Sequence, residues 1–356
     1  MSRMSTIKRF ASAPFLVPAS TAWYLADLGE LKGKQELISR RSPQKLKALR
    51  EHAIIESAVS SNRIEGVSID PDRIRDVLVS PRPLFRDRDE EEIRGYRDVL
   101  NLIHENPERL PVREDTILQF HKLARGDTWD AGSYKAEDSD IIERYPDGRE
   151  RVRFHTASAQ EAPHMVRALV ADWDACIRDR SLHPLIAMAF FNLDFLCVHP
   201  FRDGNGRVSR LLFLLQCYHT GFEAGRYVSL ERLIEENKER YYESLEESSA
   251  FWHEERHDPW PFANYLFFIL KTAYKESVER GEGIHEPRGS KTIAVMGALG
   301  RMPSDFTLSQ LENACPSVSH DMVRKILMGQ RDRTVECIGK GPGAKWRKLG
   351  IISKRG

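Results

Sequence analysis

No stretch of this 356-residue sequence approaches the ~18 consecutive apolar residues that a membrane-spanning helix needs. Arg3, Lys8 and Arg9 precede only a short apolar stretch, broken by Pro14 and Pro18, so no signal-peptide core is read there. Cysteine is scarce: Cys176, Cys197, Cys217, Cys315 and Cys337 are odd in number, far apart and without a CxxC. That pattern argues against a disulfide framework or a sulfur-bound zinc site and fits a reducing compartment. The expected location is cytoplasmic, with no membrane partner. The GxxxxGK[ST] spacing of a P-loop is missing, which sets aside an ordinary P-loop nucleotidase. His121, His155, His164, His183 and His219 form no HxxxH or HExxH pair and are read as structural.

With 41% hydrophobic and 30% charged residues, the chain is globular and long enough for two or three domains. It shows no internal repeat and no low-complexity tract. Residues 1 to about 20 read as irregular, and helical patterns follow to about Leu78. Among them is SPQKLKALREHAIIESAVSSNRIEG, with Ser42 and Pro43 as start signals and Gly66 placed to stop the helix. Helix, loop and helix are expected from about 92 to 125. Two short extended runs then flank Tyr145-Pro146-Asp147-Gly148, which predicts a β-hairpin. PLIAMAFFNLDFLCV is apolar almost all round, the pattern of a buried central helix. Its Phe190, Phe191, Phe195 and Cys197 are read as core. Gly281, Gly283, Pro287 and Gly289 mark a linker, and beyond it three short helices and two strands predict a winged-helix arrangement. The expected division is 1–90, a helical region; 91–280, a core; and 288–356, the winged-helix domain.

The chemistry-bearing stretch is His199-Pro200-Phe201-Arg202-Asp203-Gly204-Asn205-Gly206-Arg207-Val208-Ser209-Arg210. Gly204 and Gly206 flank Asn205, so the backbone can approach a ligand and present N–H groups to an anion. A helix is expected to begin here, adding its free N–H groups and positive dipole end. Arg207 and Arg210 share a face of its first turn, where they oppose that dipole unless an anion sits between them. Asp203 offers a hard oxygen suited to Mg²⁺ beside such phosphates. His199, with an ordinary pKa near neutrality, is the candidate general base.

This stretch resembles the signature of the Fic family, HPFx[DE]GNGRxxR, with every defined position matched. The resemblance implies an all-α core with a small β-hairpin flap. It implies that the motif histidine deprotonates a Ser, Thr or Tyr hydroxyl of a target protein, which attacks the α-phosphate of ATP and expels pyrophosphate. On it, His199 is the base and Asp203 holds Mg²⁺. Gly204, Asn205 and Gly206 meet the α/β-phosphates, and Arg207 and Arg210 the β/γ end. Phe201 is expected in the core and Arg202 in solvent. Tyr241 and Tyr242, in ERYYESL, resemble the segment where an aromatic residue borders the adenine. The hairpin would hold the target's main chain by strand addition. Family members with kinase-like transfer resemble HPFxxANKR, with lysine where this chain has Gly206. Gly206 and Arg210 argue for nucleotidyl transfer instead.

Upstream, Ser61-Asn62-Arg63-Ile64-Glu65-Gly66 resembles the family's inhibitory motif, [ST]xxxE[GN]. The implied role is competitive: Glu65 pairs with Arg210 and occupies the guanidinium that the γ-phosphate needs. Two other readings stand beside protein AMP transfer to a target or to the chain itself. Glu65 could align a water for AMP removal. Or the chain could be a DNA-binding regulator whose core is a sensor. From Arg288 onward there are 13 Lys/Arg against 5 Asp/Glu, an electrostatic footprint for DNA through SHDMVRKIL and a wing near Lys345, Arg347 and Lys348. The same surface also suits an interaction or dimerisation module.

Overall fold

The computed structural model describes residues 3–39, 43–81, 83–144 and 148–282. Of the tail it describes 295–296, 298–300, 302–315, 318, 320–331, 334–339 and 344–349. The chain divides into two units, Met1–Glu279 and Arg280–Gly356.

The first unit is helical but for one hairpin. Its helices are α1 (Thr6–Ala11), α2 (Ala19–Ser39), α3 (Pro43–Ile64), α4 (Ile74–Leu78), α5 (Arg88–Glu105) and α6 (Glu114–Arg125). After the hairpin strands β1 (Asp140–Arg144) and β2 (Glu150–His155) come α7 (Ala162–Asp179), α8 (Pro184–Val198) and α9 (Asn205–His219). The helices α10 (Leu230–Glu236), α11 (Lys238–Ser249) and α12 (Trp260–Glu282) complete it. The regions 1–90 and 91–280 share one core, which runs from Ile7 to Tyr274.

At the centre lies α8, where every residue from Leu185 to Val198 is buried. Its two polar members are satisfied inside. Asn192 donates to the Met188 carbonyl and to Gln216, and Ser209 of α9 donates back to it. The Asp194 carboxylate accepts from the Thr6 amide and hydroxyl and from the Trp252 indole.

That last cluster corrects the expectation of an irregular N-terminus. Six residues cannot sustain a helix by propensity alone. What holds α1 is Asp194 on its first turn, the Ser5 side chain capping Lys8, and the burial of Thr6 and Ile7. The stabilising partner is 188 residues away in sequence, which no local pattern reveals.

The hairpin forms as expected, with Asp140 opposite His155 and a register shift between Ile141 and Ile142. Its tip, Tyr145 to Asp147, lies outside the described residues, as do Ser42 before α3 and the linker positions Gly283, Pro287 and Gly289. Gly66 follows α3 with φ 85°, a left-handed backbone that suits glycine at a helix stop.

Where α5 crosses α6, Gly95 has no room for a side chain. A Cβ there would lie 2.0 Å from the Leu123 carbonyl oxygen and 3.3 Å from the Ala124 Cα, both backbone atoms that cannot step aside. Gly95→Ala is therefore expected to cost about 3 kcal/mol. A urea midpoint no lower than the parent's would refute this packing account.

In the second unit, β3 (Asp305–Thr307), α13 (Leu308–Asn313), α14 (His320–Gly329), β4 (Val335–Ile338) and β5 (Lys345–Lys348) are present. The sheet is antiparallel, ordered β3-β5-β4, over a core that includes Phe306, Leu311, Val323, Leu327 and Trp346. The strand β3 was not expected, because three residues leading into a capping box read as helix start alone. Half of the first of the three expected tail helices falls outside the described residues, its described positions 295–296 and 298–300 being helical, and the tip between β4 and β5 falls largely outside them.

The expected basic wing is also changed. Arg347 donates to both carboxylate oxygens of Asp305, at 2.8 and 3.0 Å, and the Lys348 ammonium caps the Gly300 and Met302 carbonyls. Among the described wing residues, Lys345 is exposed and makes no hydrogen bond of this kind. On α14, Arg324 and Lys325 face solvent.

Candidate active site

The apolar run of α8 ends at His199, whose backbone turns left-handed at φ 50°. Six residues later α9 begins, with Gly204 at its start and also left-handed, at φ 82°. The loop between is drawn tight by Asn205. Its side-chain amide donates to the Phe201 carbonyl at 2.8 Å and accepts from the Phe201 amide at 2.9 Å. Asn205 thus closes the loop, and its side chain is buried in that task. Phe201 is fully buried and Arg202 is exposed, beside the Trp129 ring.

His199 contacts the Leu196 carbonyl through Nδ1 at 3.3 Å. A carbonyl only accepts, so Nδ1 carries the hydrogen and Nε2 keeps its lone pair. Burial lowers the imidazole pKa to about 4, so the ring is neutral at pH 7. A neutral ring with a free Nε2 is the form in which histidine accepts a proton.

His199, Gly206, Tyr241 and Tyr242 line one cavity of about 220 Å³. The hairpin supplies Ile141, Arg153 and Phe154 to it, α11 supplies Leu245 and Glu246, and Glu65 closes it. Arg153 donates to Glu246 at 2.8 Å and to the Tyr242 carbonyl at 3.1 Å, tying flap to helix across the mouth.

Behind Gly206 sits Arg210, its side chain 4% exposed. Nε donates to the Ser61 hydroxyl, and Nη2 to the Ser61 carbonyl and to Glu65 at 2.8 Å. Burial is the largest influence and opposes its charge, but Glu65, with Tyr241 and Tyr96, raises the pKa on balance. Nη1 is buried and makes no hydrogen bond among the described residues. Gly206 is required by this arrangement: a Cβ there would lie 2.3 Å from Glu65 Oε1. Ser61 and Glu65 are thus at the site, 149 and 145 residues upstream of the Arg210 they meet, whereas Gly66 is exposed beyond the end of α3 and does not line the cavity.

Arg207 is placed elsewhere. It is 1% exposed and paired with Glu92 and Asn62, so its guanidinium serves the interior rather than the cavity. Asp203 is half exposed, one oxygen on Arg125 at 2.7 Å and the other on the Gly204 amide. Burial would raise its pKa, but Arg207 and Arg125 together hold it below the usual carboxylate value. Mg²⁺ is ordinarily bound by one or two carboxylates with phosphates and water. Asp203 fits as that single carboxylate, and no group of three metal-ligating side chains occurs among the described residues.

Several residues here had no sequence signal. Glu92, Arg125, His121 and Lys135 surround the loop, yet lie far from the motif and in no recognisable spacing. His253-Glu254-Glu255-Arg256-His257 does have the HExxH spacing. It lies outside any helix, with His257 on Thr6 and His253 on the His155 carbonyl, so the rings do not converge. Burial pushes the Cys197 thiol well up, which makes it a core residue and no nucleophile.

Comparison with known proteins places this geometry. The model of the Fic/DOC family matches residues 111–217. A Fic family protein from Desulfovibrio desulfuricans G20 superposes with a TM-score of 0.64 at 22% identity, covering 95% of this chain and 98% of that one. A Fic domain containing signaling protein from Bacteroides thetaiotaomicron gives 0.60 at 21% identity, covering 72% and 98%. Fic-1 of C. elegans gives 0.56 at 20% identity, covering 78% and 81%. The fold is shared along the first of these almost end to end, and residues 111–217, which hold the loop and nearly all of α9, match the Fic/DOC family model.

Proposed function

We propose that the chain is a protein adenylyltransferase that transfers AMP from ATP to a protein hydroxyl and is held in check by its own Glu65. Domains of this family are generally transferases that move a nucleoside monophosphate onto proteins. One observation carries the finer reading. The base His199, the glycine backbone of Gly206 and the tyrosines Tyr241 and Tyr242 share one cavity, closed by Glu65 on Arg210.

His199 Nε2 takes the proton of a Ser, Thr or Tyr hydroxyl. The freed oxygen attacks the α-phosphorus, the bond to the β-phosphate oxygen breaks, and pyrophosphate leaves with the electron pair. The first amides of α9, at Gly206 and Arg207, have no acceptor four residues back and favour the phosphate charge. Arg210 offers the buried Nη1 to the distal phosphate once Glu65 moves. Mg²⁺ on Asp203 would neutralise phosphate charge. Tyr241 and Tyr242 form the apolar side for the base, with the hairpin opposite as the rail for the target's backbone.

The test follows where the label goes. ATP labelled at the α-phosphate is expected to leave label on the protein, and ATP labelled at the γ-phosphate to leave none. Retention of the γ label would mean kinase-like transfer and sink the reading.

A DNA-contacting role for the tail rests on Arg324 and Lys325, which α14 turns outward while burying Val323 and Leu327. A winged-helix reading supports it, as does the excess of eight positive charges from Arg288 onward.

A further inference from the structure

The loop from His199 to Gly204 does not hold its own shape. Its backbone enters the left-handed region at both ends, with φ 50° at His199 and 82° at Gly204. For a residue with a side chain, that conformation costs about 1–2 kcal/mol and persists only where the surroundings over-determine it. Asn205 closes the loop on itself, and the Lys135 amide donates to the Pro200 carbonyl at 2.9 Å. The remaining constraints come from one face of α6, where His121 and Arg125 stand four apart.

His121 is fully buried and its ring lies flat on Phe201, centroids 3.8 Å apart at 2°. The Gly132 amide donates to its Nδ1 at 2.9 Å. That bond fixes the tautomer: Nε2 carries the hydrogen and donates to the Asp203 carbonyl at 3.0 Å. Arg125, also buried, bridges Glu92 at 2.6 Å and Asp203 at 2.7 Å through one nitrogen. A Cβ on Gly204 would lie 3.2 Å from Arg125 Cδ and 3.4 Å from His121 Cδ2. The face of α6 and the loop are therefore in direct contact, and neither side chain lines the nucleotide cavity.

We propose that His121 and Arg125 are positioning residues. They hold residues 199–204 in the shape that presents the His199 ring to the cavity, and they set the direction of the Asp203 carboxylate. His121 acts as a wedge and a donor in one ring, and Arg125 holds one Asp203 oxygen while the Gly204 amide holds the other, so the half-exposed carboxylate keeps one direction. This function depends on the tautomer of His121 as much as on its bulk.

The structural part of the proposal stands apart from the proposed activity, and the kinetic part rests on it. The experiment measures amide hydrogen exchange of the 199–206 segment in the full chain, for the parent, His121→Ala and His121→Gln. Glutamine keeps an N–H donor of similar reach. In the alanine variant the segment is expected to exchange at least about tenfold faster, with α8 protection unchanged, and glutamine to restore most of the difference. In a Glu65→Gly background, His121→Ala is expected to lower kcat for AMP transfer by about tenfold or more, with the ATP dissociation constant within about threefold of its parent. Exchange identical to the parent in the alanine variant, or no gain from glutamine, overturns the proposal. If His121→Ala does not fold, Arg125→Lys carries the test. Lysine keeps the charge but loses the fork, so loop exchange must rise, and unchanged exchange overturns the proposal. Absence of transfer from the Glu65→Gly parent, with exchange as expected, refutes the proposed activity and leaves the positioning roles standing.

Discussion

Glu65→Gly is expected to raise self-labelling from ATP by about ten- to a hundredfold, the worth of one charge-assisted contact restored to the nucleotide. The reasoning starts at Arg210. Its guanidinium is buried, and among the described residues Glu65 supplies the carboxylate it pairs with, at 2.8 Å. Removing that carboxylate leaves a buried cation short of a counter-charge, a state worth about 3–5 kcal/mol in comparable pairs. Arg210 does not collapse in response, because Nε and Nη2 remain held by Ser61. The site is thereby left preformed and in need of an anion, and a triphosphate supplies one. Two further readouts follow from the same physics. The substituted protein should melt lower than the parent without nucleotide, and ATP should restore more stability to it than to the parent. The alternative in which Glu65 aligns water for AMP removal predicts the reverse dependence, with removal lost on substitution. Labelling no faster than in the parent would end the clamp account.

The second large effect belongs to His199. Replacing it with alanine, in the Glu65→Gly background, is expected to reduce transfer by about a hundred- to ten-thousand-fold, the range for a lost general base. ATP binding should survive, since the cavity's other walls are untouched. The pH dependence is more specific. The imidazole is neutral above its lowered pKa of about 4 and protonated below it. The acid limb of kcat/KM, which reports the free enzyme, should therefore fall well below the ordinary histidine value of about 6.5. A limb at 6.5 or above would mean that the working ring is more open to water than the structure places it.

The motif was legible because twelve contiguous residues carry it and because glycine, histidine and arginine have few other reasons to stand in that order. The central helix was legible from its unbroken apolar run, the hairpin from its turn residues, and Glu65 from its place at a glycine-terminated helix. The groups that position the loop were not. His121 looks like any core histidine until Gly132 and Asp203 are brought to its two nitrogens. Arg125 meets Asp203 across 78 residues, with no pattern linking them. The N-terminal helix owes its existence to Asp194 rather than to its own six residues. On the tail, composition counted Arg347 and Lys348 as available charge, whereas folding spends both on Asp305 and on helix-end carbonyls. Local sequence reports what a segment prefers, and these are cases in which a distant partner decides.

The central claim is a competent transferase restrained by Glu65, and intact mass tests it most directly. Glu65→Gly protein and the Glu65→Gly, His199→Ala double variant are each incubated with ATP and Mg²⁺. The account predicts a gain of one or more AMP units on the single variant and none on the double variant. A phosphate-sized gain, a gain that survives loss of His199, or no gain on the single variant would contradict it.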